Sequence, residues 1–134
     1  MKTFNNKRIL FIDDEVHIRE VVQICLETLG GWDVILADSG REGLVKAQIE
    51  KPDAILLDMM MPGLDGIAVL QHLQSHSITL SIPVIFLTAK ANLIEPERFF
   101  EWGAKGAIAK PFNPLTLVSQ IAEILGWSIN LALE

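Results

Sequence analysis

The sequence predicts an α/β domain in which a doubly wound, five-stranded parallel sheet carries helices on both faces, a (βα)5 arrangement. Two observations carry this. Five short apolar runs, β-branched and aliphatic, lack the polar alternation of half-exposed strands, as strands covered on both faces should. Between them lie segments of helical period, and regular strand–helix alternation implies right-handed crossovers within one sheet.

The first strand is ILFI (9–12). In the helix that follows, Ile18, Val22, Cys25 and Leu29 form an apolar stripe spaced 4, 3 and 4, which Gly30-Gly31 closes as a C-cap would. DVILA (33–37) is the second strand and 40–51 the second helix; AILL (54–57) is the third strand and 66–75 the third helix. PVIFL (83–87) precedes a helix at 96–102, and GAIA (106–109) precedes a last helix at 114–125. After Trp127 only SINLALE remains, too little for a second domain, so residues 1–134 are expected to be one domain with its core at about 7–126 and a short tail at 127–134.

Composition narrows the function classes. A chain of 134 residues, 50% hydrophobic and 21% charged, suits a globular domain that buries ~65–70% of its unfolded surface. No apolar run approaches the ~18–20 residues of a membrane span. The N-terminal ILFI is followed at once by three acids, too short for a signal peptide's ~7–15-residue apolar segment. A lone Cys25 excludes an intrachain disulfide framework and fits a reducing cytoplasm. A net charge of −6 with scattered basic residues gives no nucleic-acid footprint.

The stretch LLDMMMPG (56–63) places one carboxylate, Asp58, at the end of a buried run. An unpaired buried carboxylate costs several kcal/mol, so something must share or use its charge. Asp13 and Asp14 follow the first strand, Thr88 the fourth and Lys110 the fifth. All sit at carboxyl ends of strands, where open α/β sheets bind ligands. Only the flavodoxin-like strand order 2-1-3-4-5 gathers these groups around one crevice, and that order is the expectation. Three converging carboxylates without His or Cys call for a hard, oxygen-seeking cation such as Mg²⁺. Lys110 and the Thr88 hydroxyl then suit phosphoryl oxygens, and Asp58, central among them, suits the role of nucleophile giving an aspartyl-phosphate. Pro62 and Gly63 bend the chain away and keep the site open.

Taken singly, each residue has a plainer role: Asp13-Asp14 or Thr88 as helix caps, Asp58 as a turn residue, Lys110 as a solvated lysine. Their combination at four strand ends is the signal. His17, His72 and His76 read as surface residues, Cys25 as core, and Met59–Met61 as loop packing. No G-x-G-x-x-G or G-x-x-x-x-G-K pattern is present, and the acidic first turn repels a nucleotide phosphate.

ILFIDDE, ILLDMMMPGLDG, VIFLTA and KGAIAKPF resemble, in order and spacing, the motifs of the response-regulator receiver domain of two-component signalling, over about residues 7–126. The resemblance implies Asp58 as phosphoacceptor, charged from a phosphohistidine on a sensor histidine kinase or phosphotransfer protein. It implies Asp14, Asp58 and the Met60 backbone carbonyl as Mg²⁺ ligands (with Mn²⁺ as the alternative ion), with Asp13 acting directly or through water. Thr88 and Lys110 take the parts of switch hydroxyl and phosphate-binding lysine, Ala89 leaves room beside the phosphate, and the Lys110–Pro111 bond is expected to be cis. One departure stands out: where receivers commonly carry an aromatic switch residue, this chain has Ala107. With no output domain in view, the expectation is a single-domain, non-enzymatic regulator in the cytoplasm, without nucleic-acid or membrane contact.

Two rival functions compete with this one. An aspartate-nucleophile phosphatase needs a second acid two residues after the nucleophile, where Met60 stands. A receiver-like interaction module that is never phosphorylated is opposed by the intact Asp13/Asp14/Asp58/Thr88/Lys110 set. Finally, the helix at 114–125 carries more apolar surface than packing on a sheet needs, about half its circumference against an arc of ~100°. Leu115 and Ala122, or Ile124, together with Trp127 and the apolar tail, are expected to extend a protein-binding face of helix 4, strand 5 and helix 5, most simply a homodimer contact.

Overall fold

The structure, a computed structural model, describes residues 7–128. Strands and helices alternate as β1 (Arg8–Ile12), α1 (Val16–Thr28), β2 (Asp33–Ala37), α2 (Gly40–Glu50), β3 (Ala54–Asp58), α3 (Gly66–Gln74), β4 (Val84–Thr88), α4 (Pro96–Trp102), β5 (Gly106–Ala109) and α5 (Leu117–Leu125). The strands pair in parallel in the order β2-β1-β3-β4-β5, the flavodoxin-like order expected. Every residue of β3 and β4 is buried, which is why their sequences show no polar alternation.

Because successive strand residues point to opposite faces, each strand feeds two apolar layers. Phe11, Leu56 and Leu87 join Val22, Leu26, Leu117 and Ile121 beneath α1 and α5. Leu10, Leu57 and Phe86 join Ala47, Val69, Leu70 and Phe99 beneath α2, α3 and α4. Each fully buried Leu, Ile or Phe contributes about 1.5–3 kcal/mol relative to exposure. Two helix starts, those of α2 and α3, are fixed by side chains: Ser39 Oγ accepts the Glu42 amide at 3.1 Å while Glu42 accepts the Asp38 amide at 2.6 Å. Asp65 caps α3 by accepting the Ala68 amide at 2.9 Å. Among the described residues no helix is long and apolar enough to cross a membrane.

Two expectations need correction at the C-terminal end. Helix α5 begins at Leu117, three residues later than expected. Asn113 forms a tight turn first, its carbonyl accepting the Thr116 amide at 3.0 Å and its Oδ1 the Leu115 amide at 2.9 Å. Leu115 therefore lies outside the helix and is 75% exposed, while Ala122 is on the buried face of α5 rather than emerging at its margin. Nor does Trp127 extend the face of α4, β5 and α5. Gly126, at φ +73°, turns the chain off α5, and Trp127 packs edge-on against buried Trp32, ring centroids 5.4 Å apart at 90°. The Lys7 ammonium sits 5.0 Å from the same ring. Ile124 is half-buried beside Gly106. The rest of the apolar tail lies outside the described residues.

Candidate functional site

Asp13 follows β1, Asp58 ends β3, Thr88 ends β4 and Lys110 follows β5. Since β1, β3, β4 and β5 are successive neighbours in a parallel sheet, all four residues emerge at one edge. Asp13, Asp14 and Asp58 each offer a carboxylate oxygen within 4.8 Å of the others. Asp13 is fully buried and Asp58 only 4% exposed, whereas Asp14 faces solvent. The cluster is thus closed beneath and open on one side.

The Lys110 ammonium is shared among three acids. It donates to Asp13 Oδ2 at 2.9 Å and lies 3.6 Å from Asp58 Oδ1 and 3.7 Å from Glu15 Oε1. Burial alone would lower its pKa, but the Asp13 hydrogen bond and the surrounding acids outweigh that and raise it. Lys110 is therefore a fixed positive charge. Asp58 moves the other way for a carboxylate. Burial, and then the Asp13 charge, push it up to about 6, against the opposing pull of Lys110 and the Met60 amide. That amide donates to Asp58 Oδ1 at 3.2 Å and orients the carboxylate.

Thr88 is fully buried. Its Oγ1 accepts the Lys90 amide at 3.0 Å and donates to the Met59 sulfur at 3.9 Å. The Lys110 amide donates to the Thr88 carbonyl at 2.9 Å, which ties the two residues together. The Lys110–Pro111 peptide is cis. Ala89 lines an apolar groove of about 390 Å³ with Ile18, Val21 and Pro111, opening beside Lys110. Met60 is 55% exposed at the site's rim. Ala107, half-buried on β5, borders a cavity of about 330 Å³ with Phe99, Phe100 and Gln120.

The five expected groups are thus brought to one place, and the capping roles for Asp13, Asp14 and Thr88 are not observed. Helix α1 has Glu15 at its N-cap and α4 has Glu95. Asp13 Oδ1 instead accepts the Glu15 amide at 2.9 Å, and Arg19 donates to the Asp13 carbonyl at 2.7 Å. His17, His72 and His76 are exposed and outside the carboxylate cluster. Sequence reasoning missed Glu15, though the DDE run hinted at it, and gave Met59 only a packing role. It also missed Gly66. A Cβ there would stand 2.5 Å from the Asp58 carbonyl oxygen, so only glycine lets α3 start this close behind the acid.

The donor set fits a hard divalent cation: three carboxylates, no soft ligand, one side open to water and ligand. A cation there would also offset the burial and the Asp13 charge that raise Asp58.

Comparison with known proteins gives the same picture. The response regulator receiver domain model matches residues 9–122. The alkaline phosphatase synthesis transcriptional regulatory protein PhoP of Bacillus subtilis is 42% identical over 120 residues, covering 90% of this chain and 49% of that protein. The phosphate regulon transcriptional regulatory protein PhoB of Pseudomonas aeruginosa is 38% identical over 119 residues, covering 89% of this chain and 52% of that protein. The chain spans about half the length of these curated relatives. The chemotaxis protein CheY4 of Vibrio cholerae superposes with a TM-score of 0.79 at 32% identity, covering 88% of this chain and 98% of that one. With the motif spacing, the sheet order and the clustered acids in agreement, the chain belongs to the response regulator receiver domain family of two-component signalling.

Proposed function

We propose that Asp58 accepts a phosphoryl group from a phosphohistidine on a sensor histidine kinase or phosphotransfer protein, and that the phosphorylated domain signals by altered protein–protein contact. The observation that carries this is the convergence of Asp58 with two acids and a fixed ammonium at one sheet edge. A folded-state pKa of about 6 leaves Asp58 mostly ionised at neutral pH, as a nucleophile requires. A carboxylate oxygen attacks phosphorus, the phosphorus–nitrogen bond breaks, and the departing imidazole keeps the electron pair. Mg²⁺, or Mn²⁺ in its place, held by Asp14, Asp58 and the Met60 carbonyl with Asp13 directly or through water, would neutralise charge between the carboxylates and the phosphoryl oxygens. Lys110 neutralises a second phosphoryl oxygen, the Thr88 hydroxyl hydrogen-bonds a third, and Ala89 leaves space for them. These groups belong to the chain itself, so transfer and later hydrolysis are self-catalysed.

Residues 1–134 are read as one receiver unit working in the cytoplasm, without nucleic-acid or membrane contact of its own; the regulatory activities named for the longer relatives stay theirs. Output runs through the face of α4, β5 and α5, to a second copy or a downstream protein. The test is incubation with Mg²⁺ and acetyl phosphate followed by intact mass measurement. A single-phosphate adduct, lost in Asp58→Asn, is expected. No adduct in the parent protein would leave a phosphorylation-independent interaction module as the better reading.

A further inference from the structure

A threonine hydroxyl has one hydrogen to give. In this structure the Thr88 hydrogen is already given, to the Met59 thioether 3.9 Å away. Both side chains are buried, Thr88 completely and Met59 to within 5%, so water does not compete for the bond. The hydroxyl oxygen also accepts the Lys90 amide at 3.0 Å, which satisfies its acceptor side. Leucine would fill the volume of Met59 equally well, but only the thioether supplies an acceptor.

We propose that Met59 is a positioning residue: its sulfur holds the Thr88 hydroxyl in the unphosphorylated state and so sets how readily that hydroxyl turns to the phosphoryl group. This rests on the reading that Thr88 hydrogen-bonds a phosphoryl oxygen. Sulfur is a weak acceptor, so the bond prevents a buried, unsatisfied donor without trapping it. A charged phosphoryl oxygen is a far stronger acceptor and wins the exchange once it arrives. The thioether can then withdraw. It borders a groove of about 540 Å³ lined by Met60, Met61, Ile67, Ile94 and Trp102, and an unbranched methionine re-packs easily.

Two substitutions move the equilibrium in opposite directions. Met59→Leu removes the acceptor, leaves the resting hydroxyl unsatisfied and raises its drive toward phosphate. Met59→Gln offers a stronger acceptor and holds the hydroxyl back. A role in packing alone predicts no such change of sign.

The test uses the full chain with saturating Mg²⁺ and titrates beryllofluoride, a phosphoryl mimic, by calorimetry. Met59→Leu is expected to tighten binding about two- to fivefold, the scale of one weak neutral hydrogen bond, and Met59→Gln to weaken it. Thr88→Val is expected to weaken binding, and adding Met59→Leu to Thr88→Val to change nothing more. If Met59→Leu leaves affinity unchanged or lowers it, or gives the same gain without the Thr88 hydroxyl, the inference is overturned while the phosphoacceptor reading stands. If Thr88→Val binds as the parent does, the role of Thr88 fails and the inference with it. Thermal melting of each variant separates an unfolded protein from a weak binder.

Discussion

Replacing Asp58 by asparagine should stabilise the metal-free protein, increasingly so as pH rises from about 4 to about 7 and by a constant amount above that. Asp58 is only 4% exposed, and burial with the neighbouring Asp13 charge lifts its pKa from an ordinary 3.8 to about 6. Between those two values the native state keeps a proton that the unfolded chain has lost. Stability therefore falls as pH rises through this window and is level above it. At about 1.36 kcal/mol per pH unit, the full penalty of ionising Asp58 is about 3 kcal/mol. Between about pH 4 and pH 7.5 most of that penalty is traversed, about 2–2.5 kcal/mol. Asparagine keeps the volume and hydrogen-bonding capacity but has nothing to ionise. Urea unfolding in EDTA, followed by tryptophan fluorescence, should show the stability gap between Asp58→Asn and the parent widening by that amount over the range. Excess Mg²⁺ at the upper pH should narrow it by stabilising the parent. A gap that stays constant or shrinks with pH would mean that Asp58 is not the strained acid of this site.

Asp14→Ala removes a carboxylate of the proposed metal site from the solvent side without touching the core; calorimetry should show Mg²⁺ affinity reduced at least tenfold with the melting temperature kept, and unchanged affinity would remove Asp14 from the proposed ligand set. Met60 offers no hydrogen bond to orient an attacking water, so Met60→Asn should speed loss of the phosphoryl group severalfold in a dephosphorylation time course; an equal rate would show that this position does not control water. Sedimentation velocity should show beryllofluoride promoting self-association through α4, β5 and α5, with Ile124→Asp opposing it. A monomer in both states would redirect the output to a different partner.

The fold was legible because its signals are local and mutually consistent. Apolar runs without alternation, glycines behind helices and acids at strand ends each pointed to one topology, and the order 2-1-3-4-5 followed from requiring Asp13, Asp58, Thr88 and Lys110 to meet. What the sequence hid depends on contacts between distant segments. No local pattern says that Lys110 rests on Asp13 rather than Asp58, or that the start of α3 presses on the Asp58 carbonyl through Gly66. The periodicity of 114–125 overstated α5 because a helical wheel cannot see Asn113 taking the next amides into a turn. Trp127 was misplaced for a related reason: its partner, Trp32, lies far away in the chain.

All the reactive groups stand at one end of the strands, and the turns at the other end take no part in them. A five-residue strand such as β3 puts roughly 13 Å between the two ends at ~3.3 Å per residue. The loops feeding β2, β3, β4 and β5 therefore form a side of the molecule where the chain can be cut, rejoined or lengthened without disturbing the carboxylates. New termini placed between Lys51 and Asp53, or a tag inserted there, should leave the chemistry as it was. A single residue inserted within β4 would shift Thr88 by one place and turn its hydroxyl to the opposite face of the sheet.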